Sequence, residues 1–457
     1  MVLKGKCDMT PIPTIPGFEF QFSRNFKKNP IECITPLFKK YGNIFQKKFE
    51  GDQHYFLCDP KQAEQVLNTY QNDYRKHPYF SAFEPFFGQH NPFTTNDMDT
   101  WEADQNLANP AFDTAIHFNE YTTTITNKMI ALSNAWQKRI RKGTCEVSID
   151  QEGDQLILSI LKDTLFYDIH LSPTLSQEIP HILSLIQAKT SSWFQFLWEL
   201  PTKKSRAYRD AIGYMDKQAE SIVKTRIDTR KDYDDLLGEF LHAYPAKPSA
   251  GCPFATHVSD LTKGYLQKGF ISTKLALSWI LYELAKRPEI QEQIATEVVK
   301  VCLSSNPTYA DYQVFKYTHA FINEVLRLHP PLSMILRQAE KQHEMGGYVI
   351  PAKACCILPT FIYHRHPDYW DSPDEFRLER FLAKPWGQDY QFAYIPLGAG
   401  KRYCIGKNFV LLLLGLVVAK LSRNFKLSLP KDYQPKVIYP LPFFQGIELP
   451  KLILEER

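Results

Sequence analysis

Through the middle of the chain, apolar residues recur every three or four positions, the spacing of helices that bury one face. From about Thr100 to Leu328 this pattern predicts helices over Trp101–Asn109, Ala115–Arg141, Gln151–Phe166, Leu175–Ala188 and Ser205–Thr229. A longer helix runs from about Val258 to Lys286 and is stopped by Pro288, which itself starts a helix reaching Leu303. Tyr312–Leu328 reads as another, ended by His329-Pro330-Pro331, because a residue before proline is pushed out of the helical region. Outside this block the period changes. Tyr41–Phe49 and His54–Cys58 read as short strands about the polar turn Glu50–Gln53, followed by a short helix over Lys61–Leu67. Ser333–Arg337, Tyr348–Ile350 and Ala354–Leu358 read as further short strands. An irregular stretch from Asp368 to about Pro396 follows, and Lys426–Arg457 reads as a Pro-rich tail with extended pieces. The fold class expected is mainly α with small β-sheets (α+β).

The longest apolar run, FVLLLLGLVVA over Phe409–Ala419, falls well short of the roughly 20 residues that span a bilayer, so it reads as a buried core helix. The first residues, MVLKGKCDMTPIPTIPGF, lack the continuous apolar stretch of a signal peptide or anchor. The loop-rich segment Ala243–Ala255 is too short to tether independent units. One continuous domain over residues 1–457 is expected, cytoplasmic, monomeric and without a transmembrane anchor. A net charge of +4 is small for 457 residues and gives no expectation of nucleic-acid binding, which calls for a strong basic patch.

Cysteine usage narrows the chemistry. The nine cysteines are an odd number with no C-x-x-C pair, which argues against a disulfide framework and a structural zinc site. One of them, Cys404, sits in Ile395-Pro-Leu-Gly-Ala-Gly-Lys-Arg-Tyr-Cys-Ile-Gly-Lys-Asn. The segment fails the dinucleotide pattern because Tyr403 stands at the third glycine. It fails the P-loop pattern because five residues separate Gly400 from Gly406. What remains is a thiol at a glycine turn just before a helix. Backbone N–H groups, the helix dipole, Lys401 and Arg402 are expected to lower its pKa. Gly400 and Gly406 would let a flat macrocycle approach the backbone closely. A buried structural cysteine in a tight turn is the other reading of this segment.

Leu397-Gly-Ala-Gly400-Lys-Arg402-Tyr-Cys404-Ile-Gly406 resembles the haem-binding pattern F-x-x-G-x-R-x-C-x-G of the cytochrome P-450 family, departing only at Leu397. The resemblance extends along nearly the whole chain. Glu324-Val-Leu-Arg327 resembles the family's E-x-x-R helix, and Pro373–Phe381 its P-x-x-F-x-P-x-R-F segment, with Leu378 in place of Pro. His364–Trp370 looks like H-R-x-P-x-x-W, Leu277–Glu289 like the second half of the long central helix, and Trp101–Phe112 like the helix touching the haem propionates. The resemblance implies a haem between the central and C-terminal helices, iron protoporphyrin IX (haem b), with Cys404 as the iron's thiolate ligand. Arg337, Arg402, Trp101 and Gln105 would contact the cofactor, and Glu324, Arg327 and Arg380 would form a structural network.

Two departures stand out. Where the family's oxygen-binding helix carries A/G-G-x-D/E-T-T/S, this chain has Lys268-Gly269-Phe270-Ile271-Ser272-Thr273. The acid that helps relay protons to dioxygen is replaced by Ile271, leaving Ser272, Thr273 or water to do so. Gly269 is kept, which would widen the groove for dioxygen, and Lys268 stands where a small residue is usual. On the Trp101 helix the usual arginine is Gln105, which can hydrogen-bond a propionate but not pair its charge. Glu102 and Asp104 make that helix acidic on a face the family often keeps basic for its electron donor.

The leading expectation is a monooxygenase that inserts one oxygen atom from dioxygen into an apolar molecule, with a long fatty-acid-like substrate preferred. Electrons would come from a separate ferredoxin, flavodoxin or reductase. Phe80, Phe83, Phe86, Phe87, Met334, Ile335, Phe443 and Phe444 are candidate pocket residues, and Ser192–Leu200 a candidate lid. The alternatives are a peroxide-driven or redox-partner-independent member (isomerase, dehydratase or peroxygenase) and a non-enzymatic haem protein that binds a ligand.

Overall fold

A computed structural model describes residues 11–89, 91–143, 145–172, 174–190, 198–243, 254–304, 306–383 and 391–457. Its axis is the helix Phe254–Ala285, 32 residues long. Leu261, Leu266, Phe270, Ile271, Leu275, Leu277, Ile280, Leu281 and Leu284 put apolar side chains on nearly every side of it, so it must be surrounded. Lys203–Thr229 and Ile149–Leu165 pack along it, and it also meets Pro288–Val301, Lys316–Leu328 and Lys407–Asn424. The FVLLLLGLVVA run lies within Lys407–Asn424 and is buried against Thr114–Arg141 and Pro288–Val301. No helix among the described residues is long and apolar enough to cross a membrane.

The strands form four small sheets among the described residues. A five-stranded sheet has the order Ile44–Phe49, Asp52–Leu57, Cys355–Leu358, Ile335–Ala339, Tyr74–Lys76. Asp52–Leu57 and Cys355–Leu358 run parallel, and the other neighbours are antiparallel. Glu146–Val147, Leu452–Glu456 and Phe425–Ser428 form a second sheet, with two further hairpins at 343–350 and 436–448. The expected α+β class is what the chain adopts.

Among the elements that differ from the sequence expectation, three concern helices of the core. The first is the pair of helices Glu19–Lys28 and Pro30–Tyr41, in a stretch where the sequence reading delimited no helix. Asn29 accepts the Glu32 N–H and Pro30 takes the first helical position, so an Asn-Pro pair starts the second helix. The second is the expected Tyr312–Leu328 helix, which is broken into Tyr309–Gln313 and Lys316–Leu328. The Glu297 carboxylate accepts the N–H groups of Lys316, Tyr317 and Thr318 at 2.5, 2.7 and 3.0 Å, capping a new helix start from a distant position. The third is a helix over Leu236–Ala243, which the sequence reading did not delimit.

Glu324 and Arg327, both 0 % exposed, form a two-point ion pair of 2.7 and 2.8 Å. Arg327 also donates to the carbonyls of His364, Pro373 and Glu375, and Arg380 Nε lies 3.5 Å from Glu324. The network reaches the cysteine segment through His364. Its Nδ1 bonds the Arg327 carbonyl, and its Nε2 accepts the Ile395 N–H at 2.9 Å.

Arg327→Ala would leave Glu324 buried and unpaired, and should cost about 3–5 kcal/mol in chemical denaturation. Burial also holds the His364 imidazole down to about 3, and those of His54, His77 and His319 to about 4. These groups stay neutral in the folded protein while the unfolded chain protonates below about 6.5. Stability should therefore be full above pH 6.5 and fall steadily from there toward pH 4, which a denaturation series across pH checks.

Candidate active site

Two glycines build the turn before the C-terminal helix. Gly398 and Gly400 take φ of +75° and +68°, a region that side chains resist. Within the turn, Tyr403 N–H donates to Gly400 O at 3.1 Å and Cys404 N–H to Leu397 O at 3.0 Å, while Lys407 N–H donates to Cys404 O at 3.2 Å. A methyl group at Gly400 would lie 1.7 Å from the Leu67 carbonyl oxygen, so the turn is flush against the segment Gln65–Thr69. Gly406 is less constrained: a methyl there would meet only Phe112, at 3.5 Å.

Cys404 ends this turn and is half-buried. The residue keeps partial accessibility, yet burial is the largest influence on its thiol. Burial raises the thiol above its usual value, against the lowering expected from the sequence. The Gly406 N–H and the charges of Lys268 and Lys407 pull it back without overcoming burial. Lys401, expected to help, instead pairs with Glu102 at 3.2 Å. A buried thiol opposed by two ammonium groups and an N–H is poised to lose its proton once a metal takes the sulfur's lone pair.

A group of cations lies beside this turn. Arg402 lies over Trp101 at 5.2 Å and reaches the Thr95 carbonyl and the Met98 sulfur. Arg337 bonds the Leu336 carbonyl. Burial holds the Arg402 guanidinium down to about 10; burial and the nearby Arg402 hold that of Arg337 down to about 9. Lys76, which the sequence reading missed, stands directly opposite Arg337 in the register of the two strands. Its amine donates to the Pro92 carbonyl. Burial and then the charges of Arg402, Lys268 and Arg337 press its ammonium well below the ordinary lysine value. Like charges facing across a strand pair are destabilising. Among the described residues none of Lys76, Arg337 and Arg402 has a carboxylate in ion-pair range. One buried and two half-buried cations without a carboxylate in ion-pair range among the described residues, beside a half-buried thiol, fit a flat dianionic metal macrocycle.

The central helix supplies the opposite wall. Lys268, Ser272 and the buried Thr273 and Ile271 all lie on it. Ser272 Oγ donates to the Lys268 carbonyl at 2.7 Å, so its hydroxyl is engaged by its own helix. At Gly269 a methyl group would come within 3.2 Å of Leu161, so the glycine admits the helix Ile149–Leu165. Gln105 is half-buried on Met98–Ala108, one turn after Trp101. The pocket aromatics converge: Phe80 and Phe83 meet Phe443 at 5.4 and 5.7 Å. Phe93, another residue the sequence reading passed over, joins Phe80 at 5.3 Å and Phe87 at 4.5 Å. Asn91 fixes that segment by bonding the Asp260 carbonyl and accepting the Phe93 N–H. Of the candidate lid, residues 192–197 lie outside the described residues.

A second donor group, His54, His77 and Cys355, gathers its ligand atoms within 4.8 Å inside the five-stranded sheet. His54 is stacked on Phe49 at 3.9 Å, and burial pushes the Cys355 thiol up to about 11. With no cation to hold a thiolate, this is packed core rather than a rival to Cys404.

Gly400→Ala should destabilise the protein by roughly 2–5 kcal/mol, from backbone strain together with the clash at Leu67. Gly406→Ala should cost about 1 kcal/mol or less. Thermal denaturation of the two variants side by side checks the contrast.

The family model of cytochrome P450 matches residues 10–454. Cyclooctat-9-en-7-ol 5-monooxygenase of Streptomyces melanosporofaciens is 23% identical over 88% of this chain and 85% of its own length. Cytochrome P450 3A18 of Rattus norvegicus is 25% identical over 95% of this chain and 89% of its own. Cytochrome P450 4d2 of Drosophila melanogaster is 26% identical over 87% and 83%. With a thiol held at a glycine turn beside cations that have no carboxylate in ion-pair range among the described residues, and a family match over residues 10–454, the chain belongs to the cytochrome P450 family and is an oxidoreductase of that family.

Proposed function

We propose that the chain is a single haem domain acting as a monooxygenase. It would take electrons from a separate donor and insert one oxygen atom from dioxygen into an apolar substrate. The carrying observation is Cys404 at the end of the glycine turn, with Lys76, Arg337 and Arg402 grouped together and without a carboxylate in ion-pair range among the described residues. When bound, haem b would supply an iron that activates dioxygen with electron density from the cysteine sulfur. The residues then divide the work. Cys404 would hold the iron, with the Gly406 N–H tempering the charge on its sulfur. Arg337, Arg402 and Lys76 would hold the two propionates, with Trp101 under Arg402 and Gln105 able to offer a neutral hydrogen bond. Ser272 and Thr273 stand on the helix that faces the substrate.

The aromatic convergence of Phe80, Phe83, Phe93 and Phe443 supports an apolar substrate. A long fatty-acid-like molecule is the class we favour. The Streptomyces melanosporofaciens relative, named for an alcohol, keeps other apolar alcohols in the screen. A second reading has its own observation. Ile271 is buried and apolar, and the Ser272 hydroxyl is spent on its own helix. Neither is set to carry protons, which favours a peroxide-driven or redox-partner-independent reaction.

The ferrous–CO complex should show the red-shifted Soret band of a thiolate-bound haem, and Cys404→Ser should abolish it. A wild-type protein without that band would sink the cofactor assignment. Turnover with a surrogate redox system and NADPH but not with peroxide supports the monooxygenase; turnover with peroxide alone supports the second reading. Lys76→Met should speed haem transfer to an apo-globin acceptor about tenfold, the effect of losing one charge-assisted hydrogen bond of roughly 1.5 kcal/mol.

A further inference from the structure

Gln267 lies on the central helix and is 0 % exposed. Among the described residues neither its Nε2 nor its Oε1 has a hydrogen-bond partner, and no other buried side chain there leaves two polar atoms unpaired. Turning the amide over exchanges one unpaired atom for the other, so the deficit does not depend on how the amide is assigned. A buried amide without partners is costly, and one with both atoms unpaired calls for a ligand.

Helix spacing says which way Gln267 faces. Residues three and four positions apart share a side of a helix, which puts it beside Lys263, Gly264 and Ile271. Lys263 Nζ donates to the Pro85 carbonyl at 3.4 Å and to Asp216 at 2.5 Å. A methyl group on Gly264 would lie 1.7 Å from the Asn91 Nδ2. This side of the central helix is therefore laid against Asn91 and the short helix Glu84–Phe87, which carries the wholly buried Phe86 and Phe87. Phe87 in turn meets Phe93 at 4.5 Å, within the aromatic set given above to the substrate. The polar neighbours are spent on one another. Lys263 serves Asp216 and Pro85, and the Asn91 side chain serves the Asp260 carbonyl and the Phe93 N–H. Ile271 is buried and apolar. The Gln267 amide is thus left over at an apolar wall, about 7.5 Å along the helix axis from Ser272.

We propose that Gln267 binds the substrate and selects an apolar molecule carrying a neutral hydroxyl, such as a long-chain alcohol. This rests on the monooxygenase reading of the preceding section and names the substrate class of that same site. A hydroxyl donates to Oε1 and accepts from Nε2, so one group satisfies both atoms. An ether oxygen only accepts, and leaves Oε1 orphaned. A carboxylate also only accepts, and brings its charge against Oε1 without a cation to offset it. A hydrocarbon pairs with neither atom. A site of this kind discriminates by the partner it lacks: any ligand without the hydroxyl leaves the amide buried and unpaired. The long fatty-acid-like class is thereby narrowed to its alcohols.

The test uses the purified, haem-loaded protein and probes that share one carbon chain: dodecanol, its methyl ether, dodecanoate and dodecane. Dissociation constants come from the substrate-induced Soret shift and, independently of the haem spectrum, from calorimetry. Wild type should bind dodecanol about tenfold more tightly than the ether or dodecanoate, the effect of one hydrogen bond at a buried site. Gln267→Met keeps the length of the side chain and removes both polar atoms. In that variant the preference for dodecanol over the ether should vanish, while dodecane binds at least as well as in wild type. An equal preference in wild type and variant would overturn the proposal, since the amide is then served by water or by the protein alone. So would a wild type that favours dodecanoate or the ether, or that binds none of the probes. The wild-type ranking needs no variant, so a poorly folded Gln267→Met leaves the proposal open to refutation. The ferrous–CO band and the redox-system assay report the underlying reading separately, so its failure is distinguishable from failure here.

Discussion

The centre of this protein is organised around an excess of positive charge, one cation buried and two half-buried. Lys76 and Arg337 face each other across a strand pair, Arg402 adds a third cation from the cysteine turn, and none has a carboxylate in ion-pair range among the described residues. Such a set opposes folding, because each charge is taken out of water beside others of its own sign. It is held by parts of the fold that do not depend on it: two strands of the five-stranded sheet and a turn locked by its own glycines. A dianionic cofactor reverses the sign of the interaction. Cofactor binding and stability are then linked, and the loaded protein gains the free energy that the empty one lacks.

The turn that carries Cys404 has little freedom because both its ends are fixed elsewhere. Behind it, the Glu324–Arg327 pair orients His364, and His364 accepts the N–H of Ile395. Ahead of it, the C-terminal helix is buried along most of its length. Between the two, Gly400 rests on the Leu67 carbonyl. The sulfur is thus placed by backbone contacts and by a buried ion pair that does not touch it. An ion pair of this kind adds little net stability, but it specifies where the segment lies.

Much of this was legible in the sequence, where the chemistry is local. The glycine turn, Cys404 and the i, i+3 pair of Glu324 and Arg327 are short patterns whose geometry follows from spacing. Arg380 was legible only through resemblance, and the structure brings it to Glu324. What could not be read depends on register and distant partners. Lys76 matters because strand pairing sets it against Arg337, which no single segment states. The break at Val314 arises because Glu297 caps Lys316–Leu328 from another helix, overriding a continuous apolar period. The thiol's direction was misjudged because the turn's dipole and charges were legible and the depth of burial was not.

The central helix shows how departures from a pattern combine. Read singly, Ile271 is a lost acid, Ser272 a retained alcohol and Lys268 an oddity. In the structure Ser272 donates to the Lys268 carbonyl, so the alcohol is tied to the turn that carries the lysine. Ile271 is buried, leaving no acid at that position to pair with the amine. An acid there would have held the ammonium in a salt bridge and kept it protonated. Its replacement by isoleucine and the presence of a lysine one turn away therefore act in one direction: they remove an anion and add a cation on the same helix.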